Sequence, residues 1–376
     1  MKRFSISAVI ALLAVGSVAC AEESPDVTIG IIVSLTGSGA PYGNSIQRGV
    51  ELAIGEINAA GGMEVFERGQ KPITVVTRDV QSDGAVGVQA AREMIDTGVV
   101  AAIGADVSDV TLAIAPLFQA ASVVLMSPSS SAPKISNAGD FIYRNYPSDE
   151  LEALNTADHI FNATGLREAA IIAQQTEFGL GQKNSFIERF RMLGGRAIGQ
   201  ESYPATASED DFARIAELIE ASDPPAVYIA GYTPDTVAVA RALRAAGSDA
   251  ALFGTASILP AELQEGDFAD VEGLQFPLAS WDPQSVDENV RRFVAAFQGQ
   301  YGMEPDVYAA HAYDAMNILA LAIREAGLDS QELRFYLNGM NPYPGVTGAT
   351  DFDDKGDVRK FHRMYEIRNG VAVSIE

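Results

Sequence analysis

Four serines, Ser127, Ser129, Ser130 and Ser131, fall within five positions in SPSSSAP, directly after the apolar run SVVLM. Hydroxyls grouped in this way can attack a carbonyl if a base activates one of them, or can grip a carboxylate or amide if none does. The first option is poorly supplied. The serines lack a G-x-S-x-G setting, and the three histidines, His159, His311 and His362, are far apart with no HxxxH or HxH spacing. His159 and His311 lie within helical patterns and read as satisfied structural side chains. The only cysteine, Cys20, closes an N-terminal leader and leaves no thiol for nucleophilic work.

Two motifs imitate ion sites without completing them. TGSGAPYG (36–43) outlines a phosphate loop but lacks the lysine that reaches a phosphate and the hydroxyl placed for magnesium. DFDDKGD (351–357) outlines a calcium loop, but Lys355 stands at its fifth position and His362 at its twelfth, where a bidentate glutamate is needed. It reads as a polar turn bent at Gly356. No metal, cofactor or catalytic residue is expected.

Binding is better supplied, by two strand-end loops. ADVSDV follows the apolar run VVAAIGA and puts Ser108 or Asp109 at the start of a helix, where free N–H groups and a hydroxyl can seat a carboxylate. SPSSSAP ends the next apolar run. Pro128 and Pro133 stiffen it at both ends, unlike flexible linkers made of Gly and Ser. Each serine alone also fits an ordinary cap or turn. Two adjacent loops of one chemistry suggest a binding wall.

The elements that must position these loops alternate. VTIGIIVSL (27–35), ITVVTRD (73–79), VVAAIGA (99–105) and SVVLM (122–126) read as strands separated by helical patterns. In the first helix Ile46, Val50, Ile54 and Ile57 make one stripe, stopped by Gly61-Gly62. The rhythm restarts with helix 148–163 and strands EAAIIAQ (168–174), RAIGQES (196–202), AVYIAG (226–231) and AALFG (250–254). A third block holds strand EGLQFPLAS (272–280), helices near 286–300, 306–326 and 329–338, and a hairpin-like pair at 360–375. Apolar strands between amphipathic helices make right-handed βαβ units, so the fold class is α/β, with two doubly wound parallel-sheet lobes. Ligands bind outside the carboxyl ends of such strands, and two facing lobes enclose a cleft that closes by a hinge motion.

The chain has 376 residues, 47% of them hydrophobic, enough for two cores. Its formal charge of −24, from 26 Lys+Arg against 50 Asp+Glu, argues against nucleic acid or an anionic membrane surface as a partner. Lys2 and Arg3 precede FSISAVIALLAVGSVA, a secretory signal too short for a permanent span. SVAC resembles the lipobox of bacterial lipoproteins, although Ser17 departs from the Leu or Val usual at that position. Cleavage after Ala21 is the competing reading, and the unpaired thiol favours acylation of Cys20. Residues 1–19 are thus expected to form a lipoprotein-type signal peptide and 20–26 a tether. The mature protein is expected in the periplasm or at the cell surface, anchored through Cys20.

Five blocks run in order over almost the whole mature chain: IGIIVSLTGSGAPYGNSIQRGVELAIGEINAAGG, VTRDVQSDGAVGVQAAREMI, IGADVSDVTLAIAPLFQAASVVLMSPSSSAP, GYTPDTVAVARALRAAG and DFDDKGDV. Together they resemble the leucine/isoleucine/valine-binding proteins, type I periplasmic binding proteins that serve branched-chain amino-acid ABC importers. The resemblance implies a monomeric solute receptor with a three-strand hinge, no enzymatic activity and an ABC permease as partner. It implies an N-terminal lobe of 27–146 plus 276–348 and a C-terminal lobe of 147–275 plus 349–376. It places Ser108 at the ligand's α-carboxylate, Ser129, Ser130 and Ser131 at further polar contacts, and Tyr42 over the cleft. From the second lobe it brings Phe178, in QQTEFG, and Tyr232, in GYTPD.

One position departs from the family. An acidic residue usually pairs with the ligand's ammonium after the strand ending Phe-Gly, and here FGTASILP puts Ala256 there. An unpaired buried ammonium costs several kcal/mol. Asp106, Glu262 or Glu265 could substitute. Otherwise the resemblance allows a ligand without an amine: an aromatic or aliphatic carboxylate, an amide or urea. A ligand-sensing module for a signalling partner would share this pocket, and a hydrolase would need a nucleophile and base in it.

Overall fold

A computed structural model describes residues 27–279 and 281–375, apart from the side chain of Glu265. The leader, Cys20 and the 20–26 tether lie outside the described residues. The first half of the chain alternates β1 (Val27–Val33), α1 (Ala40–Ala59), the short hairpin β2 (Met63–Val65) and β3 (Gly69–Lys71), β4 (Ile73–Asp79), α2 (Gly84–Asp96), β5 (Ala101–Gly104), α3 (Ser108–Ala121), β6 (Val124–Ser127) and β7 (Ile142–Arg144). Among the described residues the main strands form one parallel sheet in the order β4-β1-β5-β6-β7. Successive residues of β1 serve opposite cores: Ile31 packs with α1, and Ile32 with α2 and α3. That is why its sequence is apolar throughout.

The second half holds α4 (Asp149–Asp158), β8 (Glu168–Gln174), α5 (Glu177–Met192), β9 (Arg196–Tyr203), α6 (Glu209–Glu220), β10 (Ala226–Ala230), α7 (Thr233–Ala245), β11 (Ala251–Phe253), α8 (Phe268–Val271) and β12 (Gln275–Ala279). Then come α9 (Glu288–Tyr301), α10 (Val307–Ala326), α11 (Ser330–Gly339), the hairpin β13 (Tyr343–Gly345) and β14 (Gly348–Thr350), and the hairpin β15 (His362–Arg368) and β16 (Val371–Ser374). The second sheet runs β16-β15-β12-β11-β10-β8-β9, parallel from β9 to β12 and antiparallel across β15 and β16. Helices α9 to α11 return to the first lobe. There α10 crosses α1 so closely that a Cβ on Gly49 would lie 2.2 Å from the Ala309 carbonyl oxygen.

The chain passes between lobes after β7, after β12 and before β15. The second and third passages come a few residues later than the 276 and 349 expected. Pairing with β11 and β15 keeps the chain in the second sheet through Ala279. Phe352 and Val358 still pack in the first core, and the Arg144 N–H donates to the Gly356 carbonyl at 3.0 Å.

Candidate functional site

The carboxyl ends of both sheets face one small cavity. Tyr42, Asp106, Ser108, Ser129, Ser131 and Tyr308 line it from the first lobe, and Glu152, Phe178, Tyr232, Ala256 and Ser257 from the second. Tyr146, on the first passage, completes it. No lysine, arginine or histidine lines it among the described residues.

SPSSSAP is a rigid wall of this cavity. The Ser127 hydroxyl donates to the Ala105 carbonyl at 2.8 Å and accepts from the Ser130 N–H at 2.9 Å. The Ser129 hydroxyl donates to the Asp106 carbonyl at 2.8 Å, so the loop is sewn to the end of β5. Ser108 accepts from the N–H groups of Ser131 and Ala132 at 3.2 and 3.1 Å. A hydroxyl with both acceptor positions taken keeps its proton for a ligand. Val107 precedes α3 and gives the helix start no side-chain cap.

Of the residues singled out from sequence, Tyr42, Ser108, Ser129, Ser131, Phe178, Tyr232 and Ala256 line the cavity together. Ser130 stands behind the wall instead. Its hydroxyl meets Thr111 Oγ1 at 2.8 Å and the Ala105 carbonyl at 3.1 Å, inside the packing between α3 and the loop. Behind the loop lies Arg144, wholly buried. It gives Nη1 to the Ser131 and Ala132 carbonyls at 2.8 and 3.0 Å and pairs with Asp357 through Nε at 2.7 Å.

Rings form the rest of the lining. Phe178 stacks on Tyr232 at 5.0 Å, and Tyr42 sits 5.5 Å from Tyr232 and 5.2 Å from Tyr308. The Tyr42 hydroxyl donates to the Ser257 carbonyl at 2.9 Å and the Tyr308 hydroxyl to the Ala256 carbonyl at 3.0 Å, both from one lobe to the other. Lys134 and Glu177 add an exposed ion pair between the lobes at 2.8 Å. The structure therefore describes a closed cleft.

Two carboxyl groups reach the cavity. Asp106, after β5, accepts from the Ser34 N–H and hydroxyl at 2.7 and 3.0 Å through Oδ1, while Oδ2 has no hydrogen-bond partner among the described residues. Burial pushes it up to about 6 against the Ser34 bonds that favour its charged form. Gly39 makes its room, since a Cβ there would lie 2.5 Å from Oδ2. Glu152, in the first turn of α4, accepts from the Ala256 N–H at 2.8 Å. Burial, then the neighbouring Asp149 charge, push it well above the usual range. Glu262 is exposed and lies outside this cavity.

Tyr146, Glu152, Ser257 and Tyr308 were not found from the sequence. Glu152 reads there as one more acidic residue in an acidic helix start, and Tyr308 as core packing. No local signal marks either.

Comparison with known proteins follows this geometry. A family model described as periplasmic binding protein matches residues 26–369. Leu/Ile/Val-binding protein homolog 1 of Brucella suis is 28% identical over 370 residues, covering 98% of this chain and 96% of that protein. The leucine binding protein LivK of Thermotoga maritima superposes with a TM-score of 0.84 at 26% identity, covering 93% of this chain and 98% of that one. A solute binding protein from R. palustris, in complex with benzoate, shares the fold at a TM-score of 0.81 and 19% identity, covering 93% and 96%.

Proposed function

The chain belongs to the periplasmic binding protein family, and from that premise we propose that it is the solute-binding receptor of an ABC importer for branched-chain amino acids. The observation that carries this reading is the closed cavity between two sheet ends, walled on one side by Ser108 and the uncapped start of α3. A ligand carboxylate fits that side: the Ser108 hydroxyl donates, and the helix terminus favours negative charge. Tyr42, Phe178 and Tyr232 offer ring faces to an aliphatic side chain.

The receptor works by closure. In this reading 27–146 with the helices after β12 forms one lobe, the strands from β8 to β12 with the final hairpin form the other, and the three passages between them bend. Ligand contacts from both lobes favour the closed state over the open one, and a permease then receives the closed receptor. The protein works as an exported monomer held to the membrane by an acylated Cys20. In this reading it is a receptor and not an enzyme: the Ser129 hydroxyl donates to the Asp106 carbonyl and the Ser108 hydroxyl accepts loop N–H groups, which are structural and binding roles.

A thermal-shift screen of the mature protein tests this reading against Leu, Ile, Val, benzoate, small amides and urea. Ligand at a hundredfold excess over Kd stabilises the folded state by about 2.7 kcal/mol, which raises the midpoint measurably. Shifts with Leu, Ile or Val are expected. Shifts with benzoate, amide or urea alone would overturn the amino-acid assignment, and turnover of amides or esters would overturn the receptor. Permease genes beside the coding gene, in place of a kinase or cyclase, would separate importer from sensor.

A further inference from the structure

We propose that Glu152 and Asp106, one carboxyl group from each lobe, form a clamp for the cationic group of the ligand, replacing the acidic residue that position 256 lacks. The clamp rests on the amino-acid reading and names the part of the ligand that the serine wall leaves unbound.

The geometry of Glu152 carries the inference. Ala256 cannot offer a carboxylate, but its N–H holds one: Glu152 accepts from it at 2.8 Å and lines the cavity. The missing carboxyl group is thus restored to position 256 by a side chain from α4, about a hundred residues earlier. Asp106 faces the same cavity from the other lobe, with Oδ2 unpartnered and buried. The nearest cation in the sequence neighbourhood is already engaged, since Arg144 is divided among Asp357, Ser136 and two loop carbonyls.

Buried carboxyl groups without a counter-ion are unfavourable, and closing the cleft removes both Glu152 and Asp106 from water. A ligand ammonium in the cavity supplies the counter-ion that both lack. A carboxylate without an amine brings no counter-ion to either carboxyl group. The clamp therefore couples closure to the presence of a ligand cation and rejects acids of the same shape. Asp149, beside Glu152 and bonded at 2.9 Å to Gln182, adds to the negative field on the α4 side.

Titration calorimetry of the mature protein tests the clamp with L-leucine, isocaproate (leucine without its amine) and isoamylamine (leucine without its carboxylate). Wild type is expected to bind leucine and to bind isocaproate about 100-fold more weakly or less, the scale of a lost charge-assisted contact. Glu152→Gln should weaken leucine by about 30-fold or more and bind isocaproate no more weakly than wild type does. Ala256→Glu in the Glu152→Gln background should restore much of the leucine affinity. Asp106→Asn should weaken leucine and isoamylamine alike, and it serves in place of Glu152→Gln if that variant does not fold by circular dichroism. Leucine binding unaffected by both substitutions would overturn the clamp while leaving the amino-acid reading standing. Binding of isocaproate or benzoate with none of leucine, isoleucine or valine would overturn that reading and the clamp together.

Discussion

The Oγ of Ser108 accepts the Ser131 N–H at 3.2 Å, so the start of α3 and the loop after β6 are joined at the point where a ligand would touch both. Ser108→Ala removes this acceptor and the free hydroxyl proton together. Affinity for a carboxylate ligand is expected to fall by about 1–3 kcal/mol in calorimetry. Ser130→Ala is the contrast. Its hydroxyl bonds only within the wall, so urea unfolding should report a loss of about 1 kcal/mol while ligand affinity stays within twofold.

Tyr42→Phe keeps the ring that touches Tyr232 and removes the bond to the Ser257 carbonyl. That bond exists only across the closed cleft. The substitution should weaken ligand binding by about 1 kcal/mol through a less stable closed state. Small-angle scattering without ligand should then show a larger mean radius than wild type. An unchanged radius together with unchanged affinity would count against closure through this tyrosine.

Asp106 gives a pH dependence with a definite sign. Its folded value, about 6, lies above the ordinary 3.8 because burial disfavours the carboxylate. The stability it contributes is present below 3.8 and is lost as pH rises through 6. Asp106→Asn keeps an acceptor for Ser34 and cannot ionise. The ligand-free variant should therefore match wild type near pH 4 and exceed it by up to about 3 kcal/mol at pH 8 in urea titrations. Its affinity for amines should fall over the same range.

Arg144→Met leaves Asp357 and the Ser131 and Ala132 carbonyls without their cation. Breaking a buried pair on one side costs about 3–5 kcal/mol, well above an exposed pair such as Lys134–Glu177. Urea unfolding should show that loss, and ligand affinity should drop as well, because the same guanidinium holds the wall.

The architecture was legible because periodicity reports burial. The apolar run VTIGIIV could only be a strand covered on both faces, and the Ile46, Val50, Ile54 stripe could only be a helix lying on it. β7, with just Ile142, Tyr143 and Arg144, is too short to show a period, and it was missed. Within SPSSSAP, composition located the wall but not which hydroxyls face inward. A loop has no period, and Ser130 turns away from the cavity through bonds to Thr111 and Ala105 that lie well upstream. Glu152 was illegible for the same reason at larger scale. Its meaning depends on Ala256, and only the fold brings the two together.

The tyrosine bonds that join the lobes end on main-chain oxygens, at Ala256 and Ser257. Every amino acid supplies that oxygen. The side chains at 256 and 257 can therefore change without removing the acceptors that hold the cleft shut. Ligand choice and closure rest on different atoms here: side chains at these two positions can vary while the main-chain acceptors of the Tyr42 and Tyr308 hydroxyls persist. A library randomised at 256 and 257 should accordingly yield altered specificities more often than receptors unable to close.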